Sequence, residues 1–284
     1  MKFTLFIICF ITLLSPAFSQ TPEGVDQLIA AENYFNLKVE EKGLKKAFLT
    51  VSDDYTIAFR PGPVPAKKFY KEQPDSIGYL KLQPVLAKIS KSDDWGFTAG
   101  PYVFKQSPSA SQSFYGTYLS VWKKNKRGIW RLAMDAGVAH KKPTKKLKNS
   151  FSTPTDKDYI HQKSDKRLQQ REDIVLSSDK LMSTIMKADN RIAQTEFLTD
   201  DTWLLFPGYE PMTDKKTIMA FWKTKGYKAL TYPVKADRSL SGEIAYTYGN
   251  ATILAKKYNY IRVWEVQPSH KWNVIAEVFT EELP

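Results

Sequence analysis

The stretch "YLSVWKKNKRGIWRLAMDAG", Tyr118 to Gly137, sets the architecture of the chain, because "YIRVWEVQPSHKWNVIAEV", Tyr260 to Val278, repeats its plan. Trp122 and Trp130 have the same spacing as Trp264 and Trp272. In each stretch two apolar segments flank a polar turn marked by Gly128 or Pro268, so each is expected to be a β-hairpin. The lysines of the first turn, replaced by "EVQPSHK" in the second, are then turn residues rather than a nucleic-acid patch.

Upstream, the same order of blocks precedes each hairpin. "SDDYTIAFRPG" (Ser52 to Gly62) and "GFTAGPYVF" (Gly96 to Phe104) precede the first; "TDDTWLLFPG" (Thr199 to Gly208) and "IAYTYGNATIL" (Ile244 to Leu254) precede the second. Asp53 and Asp54 match Asp200 and Asp201, Thr98 and Gly100 match Thr247 and Gly249, and Asp135 falls opposite Glu277. Agreement in order, spacing and residue type identifies a tandem duplication.

Each copy opens with a helical period. Val25, Leu28, Ile29, Ala31 or Glu32, Phe35 and Val39 mark the first; Ile174, Leu181, Ile185, Met186 and Ile192 mark the second. Strands follow, with short helices expected over Ala66 to Glu72 and Asp214 to Lys223. Helices followed by a run of antiparallel strands make the fold class α+β. The expected architecture is two tandem cone-shaped α+β barrels, each with N-terminal helices packed on a curved, mostly antiparallel sheet. The mouth of such a cone is apolar and suits a small molecule.

The chain begins "MKFTLFIICFITLLSPAFSQ", a basic residue followed by an apolar run and small residues before a cleavage point. This reads as a secretory signal peptide over residues 1–19, giving an exported protein, periplasmic or extracellular after its removal. No later stretch is apolar for long enough to span a membrane. The only cysteine, Cys9, lies inside the apolar run, so no disulfide is available to the mature chain. The remaining residues divide into a first domain over 20–139, a basic linker over 140–166 and a second, divergent domain over 167–284.

A formal charge of +12 invites a nucleic-acid reading. The lysines are dispersed, however, and the densest group, Lys141, Lys142, Lys145, Lys146 and Lys148, falls in the linker. A solvated connector is expected and no nucleic-acid partner. His140, His161 and His270 have no second ligand at metal spacing and read as exposed loop residues, so neither metal nor cofactor is expected.

"AENYF" (Ala31 to Phe35), "AFLTVSDDYTIAFRPGPV" (Ala47 to Val64), "GFTAGPYVF" and "YGTYLSVWKKNKRGIWRLAMDAG" (Tyr115 to Gly137) resemble the SnoaL-like, ketosteroid-isomerase-like members of the nuclear transport factor two superfamily. The resemblance implies a cone-shaped α+β barrel with an internal pocket, commonly dimeric through its sheet. Two copies in one chain could therefore dock as an internal pseudo-dimer, with a homo-oligomer as a further option. The family contains isomerases, cyclases, dehydratases and domains that only bind, so it constrains fold more than function.

In the steroid isomerases the general base is an aspartate ending the first strand. Counting from the paired aspartates, that place falls on Phe59 or Arg60 in the first copy and Phe206 or Pro207 in the second. Without a carboxylate there, isomerase activity is not carried over. Asp135 is the acid/base candidate that remains. Strand alternation puts Trp130, Leu132, Met134 and Ala136 on one face, and Arg131, Ala133 and Asp135 on the other. Arg60 offers a guanidinium fork that would either recognise an acidic ligand or hold Asp135. Phe59, Tyr34, Tyr79, Trp95, Tyr102 and Tyr118 complete the candidate ligand-binding set, with plain core as the alternative for the aromatics.

Three functions stay open: non-catalytic binding of a small apolar or weakly acidic molecule, a SnoaL-type lyase or isomerase using Asp135, and a scaffold whose cones are filled.

Overall fold

In a computed structural model, which describes residues 23–282 apart from Lys163, the two copies use one order of elements. The expected signal peptide lies outside the described residues. No helix among the described residues is long and apolar enough to cross a membrane.

The first copy opens with α1 (Val25–Lys42), whose core-facing stripe is Val25, Leu28, Glu32, Phe35 and Val39. Gly43, at φ 80°, turns the chain into α2 (Leu44–Val51), since a positive φ strains any residue with a Cβ. There follow β1 (Ser52–Phe59), β2 (Pro63–Pro65), α3 (Ala66–Glu72), β3 (Tyr79–Leu82), β4 (Leu86–Ile89), β5 (Trp95–Lys105), β6 (Phe114–Lys124) and β7 (Trp130–His140). Next comes β8 (Ser150–Ser152), which pairs parallel with β4, so the expected connector also adds an edge strand to the first sheet. The second copy runs α4 (Asp165–Ala188), α5 (Asn190–Phe197), β9 (Leu198–Leu205), α6 (Lys215–Lys225), β10 (Ala229–Arg238), β11 (Ile244–Ile253), β12 (Lys256–Val266) and β13 (Trp272–Glu281).

The sheets run β2-β1-β7-β6-β5-β4-β8, with β3 also on β5, and β10-β11-β12-β13-β9. β10 thus does in one strand what β3 and β4 do in two. In both copies the first strand lies parallel to the hairpin's last strand, and the hairpin's other pairings are antiparallel.

Strict alternation along the last strand is not observed. Val121 pairs with Met134 but Trp122 pairs with Leu132, so Ala133 is an extra residue, and Ile275 is its counterpart between Val274 and Ala276. Such a bulge flips the facing of everything beyond it. Leu132 and Trp130 therefore pack with the helices, whereas Met134, Ala136 and Val138 face the other sheet. Asp135 returns to the helix side beside Leu132, not opposite it.

The expected phase of α4 is also corrected. Val175, Asp179, Met182, Ser183 and Met186 are buried, while Ile174 and Leu181 are exposed. Met186 is buried and Ile185 packs against the core as expected, whereas Ile192, in α5, is exposed; Asp179 and Ser183 take buried places that a pattern read from apolar residues alone passes over. The aspartate pairs are likewise out of register. Thr56 Oγ1 donates to the Leu132 carbonyl and Thr202 Oγ1 to that of Val274, while Ala58 pairs with Asp135 and Leu204 with Glu277. Arg60 therefore corresponds to Phe206, one residue away from the match that the aspartates suggest.

The two sheets share an apolar cluster that includes Phe97, Val121 and Met134 from the first, and Tyr246, Ile261 and Ala276 from the second. Lysines of the first sheet meet carboxylates of the second at its margins: Lys88 Nζ lies 2.6 Å from Glu265 and Lys123 Nζ 2.8 Å from Asp237.

Candidate functional site

The interior of the first cone is built by α1, α2, α3 and the helix-facing side of β5, β6 and β7. Glu32 projects into it because it occupies a core position of the α1 period, and it is fully buried. Thr98 Oγ1 donates to its Oε2, and so does Trp122 Nε1 at 3.1 Å, while Oε1 has no hydrogen-bond partner among the described residues. Burial pushes the carboxyl up to about 7, against these two hydrogen bonds. The Tyr118 hydroxyl is also buried, and burial raises its pKa well above the ordinary phenol value, against the lowering effect of Thr98 beside it.

Toward the mouth, Arg60 donates from Nη2 to Asp135 and to the Tyr70 hydroxyl (2.9 Å), and from Nη1 to the Phe59 carbonyl (2.8 Å). Its guanidinium lies 5.6 Å from the Phe48 ring centroid, and Phe48 stacks on Tyr70 at 4.1 Å. Burial works against the arginine's charge, but Tyr70 and Asp135 outweigh it and hold Arg60 protonated. Ser120 Oγ donates to Asp135 Oδ1 at 3.3 Å. The Arg60 side chain keeps 27% of its surface exposed, against 7% for Asp135, so the arginine is the part of the pair that solvent or a ligand reaches.

The second cone uses the same positions differently. Arg262 stands where the first has Ser120, because Ser120 pairs with Asp135 and Arg262 with Glu277. Its Nε donates to Glu277 at 2.7 Å and its Nη1 to Asp179, the counterpart of Glu32; the Tyr260 hydroxyl donates to Asp179 at 3.0 Å. All of these groups are buried. Burial raises Glu277 despite Arg262. Phe206, in Arg60's place, is surrounded by Tyr209, Phe221, Trp222, Tyr227, Tyr258 and Phe279 at 5.4 to 6.2 Å between ring centroids. This mouth is closed by aromatic rings.

Of the residues singled out from sequence, Arg60, Asp135 and Tyr118 come together in the first cone. Tyr102 crosses the sheet there, and a Cβ on Gly116 would overlap its ring. Tyr79 stays at the rim, its hydroxyl 3.3 Å from Glu40. Phe59 and Trp95 do not line the cone, because they face the second sheet and meet Tyr248 and Tyr246 at 5.8 and 6.4 Å. Tyr34 lies exposed on the outer face of α1, with Lys38 over its ring. His140 is not the exposed loop residue expected: it ends β7, is 9% exposed, and bonds Thr117 Oγ1 (2.9 Å) and the Lys141 carbonyl (2.6 Å).

Glu32 and Tyr70 were missed. The signal for Glu32 was a carboxylate in the apolar phase of α1 with an acid, Asp179, in the matching place on α4. Tyr70 left no comparable sign. Among the described residues no group of three or more histidine, cysteine and acidic side chains is arranged to hold a metal ion.

No family model matches the sequence, and no curated protein does. Solved structures are similar to one repeat-length of it. An NTF2-like protein from Cytophaga hutchinsonii is 22% identical, covering 39% of this chain and 97% of its own, with a TM-score of 0.34. A ketosteroid isomerase-like protein from Erwinia carotovora atroseptica is 12% identical over 43% of this chain and 100% of its own, at 0.36. A DUF4783 family protein from Bacteroides uniformis is 13% identical over 35% and 92%, at 0.30. Likeness at this level concerns the fold and assigns no activity.

Proposed function

We propose that the chain is an exported, non-catalytic binding protein in which the first cone recognises a small apolar or weakly acidic molecule and the second is its filled structural partner. The two domains act as an internal pseudo-dimer through their apolar sheet faces. The observation that carries this reading is the different place of the arginine in the two cones. In the second, one central guanidinium serves Asp179 and Glu277 together, and Tyr260 completes the set. In the first, the arginine stands at the mouth with Asp135, and deeper in, Glu32 Oε1 has no hydrogen-bond partner among the described residues. Buried polar groups without partners are costly, so they mark where a ligand's polar head gains by replacing missing hydrogen bonds. The apolar body would lie against Tyr102 and the aromatic rim.

Asp135 is engaged by both Arg60 and Ser120. That makes it a partner that orients Arg60 rather than a free base, which favours binding over turnover.

The test is calorimetric titration of the mature protein with 2-naphthol, a steroid ketone, an aromatic polyketide and a hydroxy acid, with product analysis of the same mixtures. Binding of at least one apolar phenol or ketone, weakened roughly tenfold by Arg60→Ala through loss of a desolvated charged contact, with no product formed, is expected. Turnover abolished by Asp135→Asn would sink the binding reading, and so would failure of the whole panel to bind. Mass measurement of the secreted protein, with an N-terminus at Gln20, tests export.

A further inference from the structure

A cavity lies where the first sheet meets the connector and the segment of the second copy that joins β9 to α6. It measures about 700 Å3, within the range of small-molecule sites. Val85 and Val103 supply apolar surface from the first sheet, Met212 faces them from the second copy, and Lys142, Lys145 and Lys146 line the connector side. None of these lysines forms an ion pair among the described residues.

The two acids of the lining are already engaged. Glu210 accepts from the Thr144 backbone N–H (3.1 Å) and hydroxyl (2.8 Å), tying the connector to the second copy. Asp214 caps α6, accepting from the Thr217 N–H (2.8 Å) and hydroxyl (2.7 Å). Other bonds fix the walls independently: Gly208 N–H donates to the Ala139 carbonyl at 2.8 Å, and His140 is locked to Thr117. The result is a held cavity with an apolar side, acids committed elsewhere and three uncommitted cations.

We propose that this groove is a second ligand site, selective for a small organic anion: a carboxylate on an apolar body, its head among Lys142, Lys145 and Lys146 and its body against Val85, Val103 and Met212. The apolar walls supply affinity by area burial, and the lysines supply selection for charge. The site is formed jointly by the first sheet, the connector and the second copy, so it exists only in the full chain. It does not rest on the reading of the first cone: its lysines belong to the connector, whereas Arg60 follows β1 and Asp135 lies in β7, and Tyr102 is the residue common to the two linings.

The test uses the full mature chain titrated calorimetrically with naphthalene-2-carboxylate and with its uncharged analogue, naphthalene-2-methanol. The groove is expected to take one equivalent of carboxylate beyond what the cone binds. The K142E/K145E/K146E variant should lose that equivalent and keep the cone's, the alcohol should bind the groove at least about tenfold more weakly, and the lysine-dependent equivalent should weaken with added salt. Arg60→Ala, which acts on the cone, should leave the lysine-dependent equivalent in place. The lysines are exposed, so the charge reversal does not threaten folding, which circular dichroism verifies. Three outcomes would overturn the proposal: no carboxylate binding up to millimolar ligand, binding indifferent to the lysine reversal, or loss of all carboxylate binding in Arg60→Ala, which would place the anion in the cone alone.

Discussion

Glu32 is a carboxyl group that solvent does not reach, with no ion-pair partner among the described residues. Its pKa is raised to about 7 from an ordinary 4.5, so between these values the folded chain keeps a proton that the unfolded chain releases. Stability carried by the neutral carboxyl is complete below pH 4.5 and is lost as the pH rises to about 7. The loss is on the order of 3 kcal/mol for a fully buried group. Urea unfolding at pH 5 and pH 7 should therefore show the wild type losing more stability across the interval than Glu32→Gln does. Equal losses would mean that Glu32 is ionised in the folded state throughout. Glu277, also raised by burial, adds the same sign of slope in both proteins and cancels in the comparison. Among single residues the sequence revealed Arg60 and Asp135, because charged residues beside a strand end and in a strand are conspicuous. It concealed Glu32, because one acid in an apolar period looks like a break in a stripe rather than a buried member of it.

Helices, strands and hairpins were legible from periodicity and from duplication. The departures came from single extra residues and from polar residues in buried places. The bulges at Ala133 and Ile275 insert one residue each, and no local pattern distinguishes that from ordinary alternation. The phase of α4 was hidden by Asp179 and Ser183, which are buried for the sake of Arg262 and Thr231. Gly100 and Gly249, matched from sequence, have a shared steric reason. A Cβ at Gly100 would overlap the Gln83 carbonyl oxygen, and one at Gly249 would overlap that of Tyr232. In each copy the neighbouring strand breaks or bulges against the glycine: β3 gives way to β4 opposite Gly100, and β10 shifts register beside Gly249. Gly249→Ala and Gly100→Ala should each cost roughly 1–3 kcal/mol in urea unfolding, the usual range for forcing backbone to move around an added carbon. A cost near zero would show that the neighbouring strand edge is loose there.

Across the molecule as assembled, the charged contacts between the sheets are reciprocal. Trp122 corresponds to Trp264, so Lys123 corresponds to Glu265; Thr98 corresponds to Thr247, and through their strand partners Lys88 corresponds to Asp237. The pairs Lys88 with Glu265 and Lys123 with Asp237 are therefore one contact made twice, as an isologous interface requires. After duplication the first copy holds both lysines and the second both carboxylates, which favours pairing of the two copies over pairing of like with like. The same divergence is written inside the cones, where the arginine stands at the mouth in one and at the centre in the other. Exchanging these places is the most direct test of the division of labour. Arg60→Phe combined with Ser120→Arg gives the first cone the second cone's arrangement, with a guanidinium set between Asp135 and Glu32. Titration of this double variant with the phenol or ketone that binds the wild type should show a folded protein with no detectable binding in the first cone. Binding at wild-type affinity would contradict the account, because it would mean that neither the mouth arginine nor the unpartnered interior of the first cone holds the ligand.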